Sequence, residues 1–544
     1  MRTHAIAIAI LTTHLVLFSL LNIFINPHPD MLDHWVWSQH LALSYYEHPP
    51  MVAWAIRLVT LIGGNSETAL ELGAQFYNLS ILALCYAICF RLFGKHAAIF
   101  CLILLESTPY FLLGSVFLHI DQPFLIFWLF NLYFICRFHQ SPSPRWLILL
   151  GISAGLGALS KYITLLFYFG VFLHFSLYKK QRHHLKNPWL YAAGFLSLAI
   201  FSPVLIWNFQ NDWVSFRFQF TRGLSGAPLG QNFILFTLGH LAIFSIVWSG
   251  WGFYQIWKKR GEIIADVQPD SIIFIISVFP LLFFSVMSFR GSIADPHWAN
   301  VTYLGMMMLS GKTLARIWPS SRNRIHKKML VGGVLLNLII LLLVFLHIQY
   351  PFIGFPQYQL KYYSPFARHD FDPQTVDKLR VLKNQPPLEK KAFLARLQQI
   401  LSPEEFELYQ EKILKIAAEP HHDLVTTVLS WEETAEDLII LLKKSGKYPV
   451  DAIISKEFQL SSALSFYLPD HPAPYSLEKP ERNQWSPVEV LRDKRAVILC
   501  RIQVCGRVLR WTESRFQRKI NYLGEISTHR GKRLIRRLEV YGFN

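Results

Sequence analysis

Residues suited to proton and anion chemistry crowd one short stretch of this chain: Pro29-Asp30-Met31-Leu32-Asp33-His34-Trp35-Val36-Trp37, then Tyr45-Tyr46-Glu47-His48-Pro49-Pro50. Asp30 and Asp33 are three apart and share a face if the segment is helical. Further along stand Asp121 in His119-Ile120-Asp121-Gln122-Pro123, Lys161 in Leu159-Ser160-Lys161-Tyr162, Arg217, Arg222, and His297 in Pro296-His297-Trp298. A carboxylate can take the proton of an attacking hydroxyl. Lysine, arginine or protonated histidine can stabilise a departing phosphate. Each also has a plainer role: Asp121 could cap the helix after it, Lys161 could snorkel, His297 could be a hydrogen-bonded interface histidine, and Arg217 and Arg222 could simply be solvated.

The elements that position these groups lie in a membrane. Of 544 residues, 52% are hydrophobic, 15% aromatic and 16% charged, with a mean hydropathy of +0.28. That composition excludes an ordinary soluble enzyme, a disordered chain and, with six cysteines, a disulfide-dense scaffold. Apolar runs able to cross roughly 30 Å of hydrocarbon, about 20 residues each, fall at 5–25, 70–90, 97–116, 123–138, 146–159, 162–178, 188–207, 233–257, 271–289, 298–314 and 329–350. The glycine-rich run at 146–159 is the shortest. These predict a polytopic α-helical membrane protein with about 11 transmembrane helices. The first run could instead be a signal peptide, but it lacks a small-residue cleavage site. Only twelve of the 36 acids precede residue 350, so the chain divides there: a transmembrane domain over 1–350 with catalytic outer loops, and a C-terminal domain over 351–544.

Placing the N-terminus in the cytoplasm puts eighteen Lys and Arg of the membrane part on the inner side and five on the outer, as the positive-inside rule requires. The net charge of +17 is then partly a topology signal, and no nucleic-acid partner is implied. The expected location is the bacterial inner membrane, multi-pass, with the C-terminal domain in the periplasm. Asp30, Asp33, Glu47, Asp121 and Lys161 then gather at outer helix ends and suggest one polar cavity facing outward. Trp35, Trp37, Tyr45 and Tyr46 suit a helix lying in the interface. A sugar on a polyprenyl phosphate fits such a cavity: the tail stays in the bilayer and the phosphosugar head reaches the outer surface. Glu106 lies inside the third run, where pairing or packing is the plain reading.

At these same residues the sequence resembles the bacterial members of glycosyltransferase family 39, related to protein O-mannosyltransferases and to the aminoarabinose transferase that modifies lipid A. The resemblance runs through 29–57, Asp121-Gln122-Pro123-Phe124-Leu125, Gly155-Leu156-Gly157-Ala158-Leu159-Ser160-Lys161-Tyr162, 203–208, 213–219 and Pro296-His297-Trp298. In the tail it includes Gln459-Leu460-Ser461-Ser462 and Arg482-Asn483-Gln484-Trp485. It implies a GT-C-like fold, an acceptor-side acid at Asp30, a second-loop acid at Asp121, and donor-phosphate contacts at Glu47, His48 and Lys161, with Arg217 and Arg222 as weaker candidates. Asp33 joins the catalytic candidates, and His34, Tyr45 and His297 complete the set. The family has Asp-Glu where this chain has Asp30-Met31, so a role needing adjacent carboxylates, including a divalent metal site, depends on Asp33 substituting. No cofactor is otherwise implied. His48 stands where the aminoarabinose branch has lysine, which leaves the sugar open.

The expected activity is inverting transfer of a single sugar from a polyprenyl-phosphate donor to lipid A or lipopolysaccharide core, with protein hydroxyls as the alternative acceptor. A lipid-linked sugar transporter or flippase would instead distribute polar groups towards the midplane, often with inverted repeats, and no repeat is visible. In the tail, 451–454 and 496–499 read as buried strands and 431–444 as a helix, predicting an α/β or α+β domain. The excess of bases over 507–537 could meet anionic lipid headgroups or be a solvated face. Cys500 and Cys505, five apart on a strand, would point to opposite faces, which disfavours a bridge. The other four cysteines read as small core residues.

Overall fold

The computed structural model describes residues 2–223, 228–265, 269–292, 294–319, 324–350, 372–382, 388–417, 427–477, 480–501, 505–531 and 533–543. Its contacts divide into two units, one of residues 1–23 and 37–343, the other of 24–36 and 344–544.

The first unit is helical. Its elements are α1 (Arg2–Asn22), α2 (Pro29–Gln39), whose last residues enter this unit, α3 (Met51–Gly63), α4 (Glu67–Phe93), α5 (Lys95–Glu106), α6 (Pro109–Leu113), α7 (Asp121–Gln140) and α8 (Pro144–Ala158). They continue with α9 (Leu165–Leu177), α10 (Pro188–Gln210), α11 (Val214–Gly223), α12 (Gln231–Phe244), α13 (Ile246–Ile264), α14 (Asp270–Phe289), α15 (Val301–Ile317) and α16 (Arg324–Gln349). Every apolar run in the sequence falls on one or two of these helices. Among the described residues, five are long and apolar enough to cross a membrane, or six if α12 and α13, bent by 100° at Ser245, count as one. Other runs are carried by shorter helices, as at 97–116, where Ser107 and Thr108 separate α5 from α6.

Leu104, Leu105, Phe124, Trp128, Phe167, Ile273 and Leu304 belong to one core cluster. Outward-facing Leu, Ile and Phe on α1, α10 and α16 stay exposed, a surface suited to lipid. Cys85, Cys89, Cys101 and Cys136 are free and buried. Glu106 accepts from His14 at 2.7 Å, and the ring's other nitrogen lies 2.5 Å from Ser115 Oγ, the pairing that a carboxylate at membrane depth requires. The brevity of α8 goes with its glycines. A Cβ at Gly151 would stand 2.7 Å from the carbonyl oxygen of Ala193, so only glycine lets α8 lie this close to α10.

The second unit holds a five-stranded sheet in the order β2-β1-β3-β5-β4, with β1 (Ala452–Ser455), β2 (Ala473–Ser476), β3 (Ala496–Cys500), β4 (Ile520–Arg530) and β5 (Arg533–Phe543). β1 pairs in parallel with β2 and β3, while β3 and β4 run antiparallel to β5. β1 and β3 are buried along their whole lengths, which is why both read as continuous apolar runs. The helix Trp431–Lys444 has the bounds read from its periodicity.

Cys500 and Cys505 are bonded to each other, contrary to the expectation from alternation. β3 stops at Cys500 and Cys505 opens a helix, so the two never share a strand. Arg536 is buried on β5, stacked 3.4 Å above the Trp431 ring, and donates to the carbonyls of Ser430 and Leu429 at 2.8 Å. Arg536→Ala would leave those carbonyls unsatisfied and is expected to cost about 2–4 kcal/mol of stability in this unit. Urea unfolding of the solubilised full chain, read by proteolysis of residues 427–543, measures it.

Candidate active site

In the first unit the strongest constellation lies between the turn before α7 and the turn after α8. Lys161 Nζ donates to Asp121 Oδ1 at 2.5 Å, and both side chains are only 6% exposed. The other carboxylate oxygen accepts from the Tyr110 hydroxyl at 2.9 Å, and Asn300 donates to that hydroxyl at 2.6 Å. His119 Nδ1 lies 3.8 Å and His297 Nε2 3.9 Å from Asp121. Burial alone would raise the Asp121 carboxyl, but the Lys161 ammonium, with His119 and His297 behind it, holds it well below the usual carboxylate range. Desolvation beside the buried pair shifts His297 down against the pull of Asp121, with Lys161 adding to the shift. Asp121 therefore makes no side-chain cap for α7, and Lys161 does not snorkel. The pair is a buried ion pair with two imidazoles at its edge.

Backbone contacts explain how these side chains meet. Gln122 donates to the carbonyls of Gly114 and Phe117 and accepts from the His119 N–H, which pins the turn carrying His119 and Asp121. The Lys161 N–H returns to Gly157 O at 2.9 Å, closing the end of α8, and Leu159 O accepts from the Met51 N–H at the start of α3. Pro296–Ala299 forms a single 3-10 turn that offers His297 to Asp121. From the same segment Asp295 meets Arg222 at 2.5 Å, and the Arg222 guanidinium lies 4.7 Å over Trp298.

α11 ties the Glu47-His48 loop to this region. Gln219 donates to Glu47 O at 2.6 Å, Tyr46 packs on Phe218, and Tyr162, beside Lys161, shares a 2.7 Å hydrogen bond with Ser215. Arg217 on the same helix is exposed and does not join the Asp121 cluster. Tyr45 is buried, stacked on Trp37 at 4.6 Å, with its hydroxyl 3.0 Å from the carbonyls of Trp37 and His40. It pins the loop that carries Glu47 and His48.

The remaining first-loop candidates belong to the second unit. Asp30 opens α2, 35% exposed, with His28 Nδ1 at 3.8 Å, and Oδ1 accepts from Gln459 at 3.3 Å. Asp33 is 8% exposed, accepts from Ser462 at 2.9 Å and faces Arg482 Nη1 at 3.4 Å. His34 is buried beside it. The two acids thus turn to different partners, Asp30 to Gln459 and Asp33 to Ser462 and Arg482. Among the described residues, the sole Cys/His/Asp/Glu group close enough to share an ion is Cys500, Cys505 and Glu539, and its cysteines are already bonded. The aromatic residues also differ from expectation. Trp35, Trp37 and Tyr45 are each 2% exposed, because Trp35 packs edge-on against Phe466 and Trp37 stacks on Tyr45.

Tyr110, Asn300, Gln459, Ser462 and Arg482 complete these two clusters and were not singled out by type and spacing. The first two are neutral and sit among apolar neighbours. The last three lie in the tail motifs that the family resemblance marks.

Residues 47–207 match the family model described as dolichyl-phosphate-mannose-protein mannosyltransferase. The chain superposes over 99% of its length on 98% of ArnT from Cupriavidus metallidurans, with a TM-score of 0.64 for both the apo state and the form bound to undecaprenyl phosphate, at 14% and 15% identity. The fold is that of ArnT. Among curated proteins the chain is 23% identical over 333 residues to the lipid A galacturonosyltransferase RgtD of Rhizobium johnstonii, covering 58% of this chain and 66%, just under two thirds, of that relative. The resemblance to GT-C glycosyltransferases read from the sequence is borne out.

Proposed function

We propose that this chain is an inverting GT-C glycosyltransferase that moves one sugar from a polyprenyl-phosphate donor to lipid A or lipopolysaccharide core. It works at the periplasmic face of the bacterial inner membrane. The observation that carries the reading is the buried Lys161–Asp121 pair, within a fold shared with an undecaprenyl-phosphate-binding protein and in a chain similar to a lipid A glycosyltransferase. All eleven apolar runs cross the membrane in this reading, the N-terminus is cytoplasmic, residues 1–350 form the transferase domain and 351–544 the periplasmic domain.

In the reaction an acceptor hydroxyl attacks the anomeric carbon from the face opposite the phosphate. A new C–O bond forms while the bond to the phosphate oxygen breaks, which inverts the centre. Asp30 takes the hydroxyl proton. Polyprenyl phosphate leaves with the bonding electrons, and Lys161 meets the charge growing on it. Asp121, fixed by Tyr110 and Asn300, holds the ammonium in place before the donor arrives. Arg222 and His297, delivered by one turn, are further donor-side candidates with Glu47 and His48.

The test is transfer by the purified full chain in lipid nanodiscs, supplied with lipid A and the polyprenyl-phosphate-sugar fraction from a host strain lacking the gene. The expected result is lipid A heavier by one sugar. Donor consumed only when a protein acceptor is added would move the assignment to protein hydroxyls.

A further inference from the structure

The tail residues that touch α2 form a matched ladder. Gln459 and Ser462, one turn apart on the helix Phe458–Tyr467, meet Asp30 and Asp33, also one turn apart. Arg482 closes the ladder. Its guanidinium faces Asp33 at 3.4 Å, is 6% exposed, and lies 3.4 Å over the Phe458 ring of that same helix. Its own place is set by the next residue, since Asn483 exchanges hydrogen bonds with the backbone of Ser476 at 2.9 and 2.7 Å, at the end of β2. A fixed path therefore runs from the sheet through Asn483 and Arg482 to Asp33, and along one turn of α2 to Asp30.

A buried carboxylate left without its cation is strongly unfavourable, so the rotation of α2 that pairs Asp33 is the one the fold selects. In that rotation Asp30, at 35% exposure, is the more open acid of the two. Asp33, ion-paired and 8% exposed, is the less accessible of the two to a substrate proton.

We propose that Arg482 is a positioning residue for sugar transfer, acting through Asp33 to orient Asp30 towards the acceptor, so that residues 458–483 belong to the catalytic apparatus. This rests on the transferase reading above. Group placement errors of about 1 Å cost on the order of 100-fold in rate, which sets the expected size.

In the nanodisc assay with lipid A and the extracted donor fraction, Arg482→Ala should lower kcat about 100-fold per folded molecule, with KM for donor unchanged. Arg482→Lys should fall between. The exchange of Asp33→Arg with Arg482→Asp should recover most of the loss. A purely structural role would reduce the amount of folded protein and leave kcat per folded molecule alone, and that result overturns the proposal. If Arg482→Ala does not fold, Arg482→Lys and Ser462→Ala decide: wild-type kcat in both overturns it, and a selective fall in kcat supports it. Absence of transfer by the wild type defeats the transferase reading itself, whereas wild-type transfer matched by Arg482→Ala defeats this inference alone.

Discussion

Lys161→Ala is expected to lower sugar transfer by about 100- to 1,000-fold, the loss seen when one preorganised donor to a developing anion is removed. The size follows from where the ammonium sits. Lys161 is held by Asp121 at 2.5 Å and is nearly sealed from water, so its charge is worth far more than that of an exposed lysine. Removal also strands a buried carboxylate, a defect that costs roughly 3–5 kcal/mol of stability, so lost activity alone would be ambiguous. The double variant Asp121→Asn with Lys161→Met resolves this, since it removes both charges together. It should unfold close to the wild type in a thermal scan of the solubilised chain and still fail to transfer sugar. Recovery of activity along with stability would reduce the pair to a structural role.

Asp30→Asn is expected to lower transfer about 100- to 10,000-fold, the range supplied by a positioned general base, with expression and fold unchanged. The amide oxygen can still accept from Gln459, and the site is open enough that losing a charge strands no buried partner. Asp33→Asn should behave differently. It removes the counter-charge of Arg482 inside the second unit, so its loss should appear in unfolding as well as in rate. Initial rates per folded molecule for the two variants separate a proton acceptor from a residue that orients one. Equal behaviour would mean that the two acids share one role.

The apolar runs were legible because helices facing lipid must be apolar over long stretches, and all of them are helical. Their bends were not: the 100° turn at Ser245 lies within one continuous apolar run. The residue types at Asp121 and Lys161 stood out as charges at turns between apolar runs, but nothing in the sequence joins two positions forty apart. The neutral members, Tyr110 and Asn300, carry no such signal. Asp33 and Arg482 are 449 positions apart, and the pairing became visible only when the tail was folded. The first-loop aromatics were misplaced for a related reason. Trp35 and Trp37 have the composition of an interfacial anchor, yet Trp37 stacks on Tyr45 of its own loop and the partner of Trp35, Phe466, arrives from the tail. The bridge between Cys500 and Cys505 turned on where β3 ends, which alternation does not reveal.

Sugar transfer to the lipid A region of the envelope, driven by Lys161 and Asp30, is the proposed activity. Its most direct test is the mass profile of lipid A and core oligosaccharide from a strain lacking this chain, complemented by wild type, Lys161→Ala or Asp30→Asn. The predicted result is the loss of one sugar-sized mass, restored by the wild type and by neither variant. The same masses in every strain, with the protein present in the membrane of each complemented one, would contradict the account.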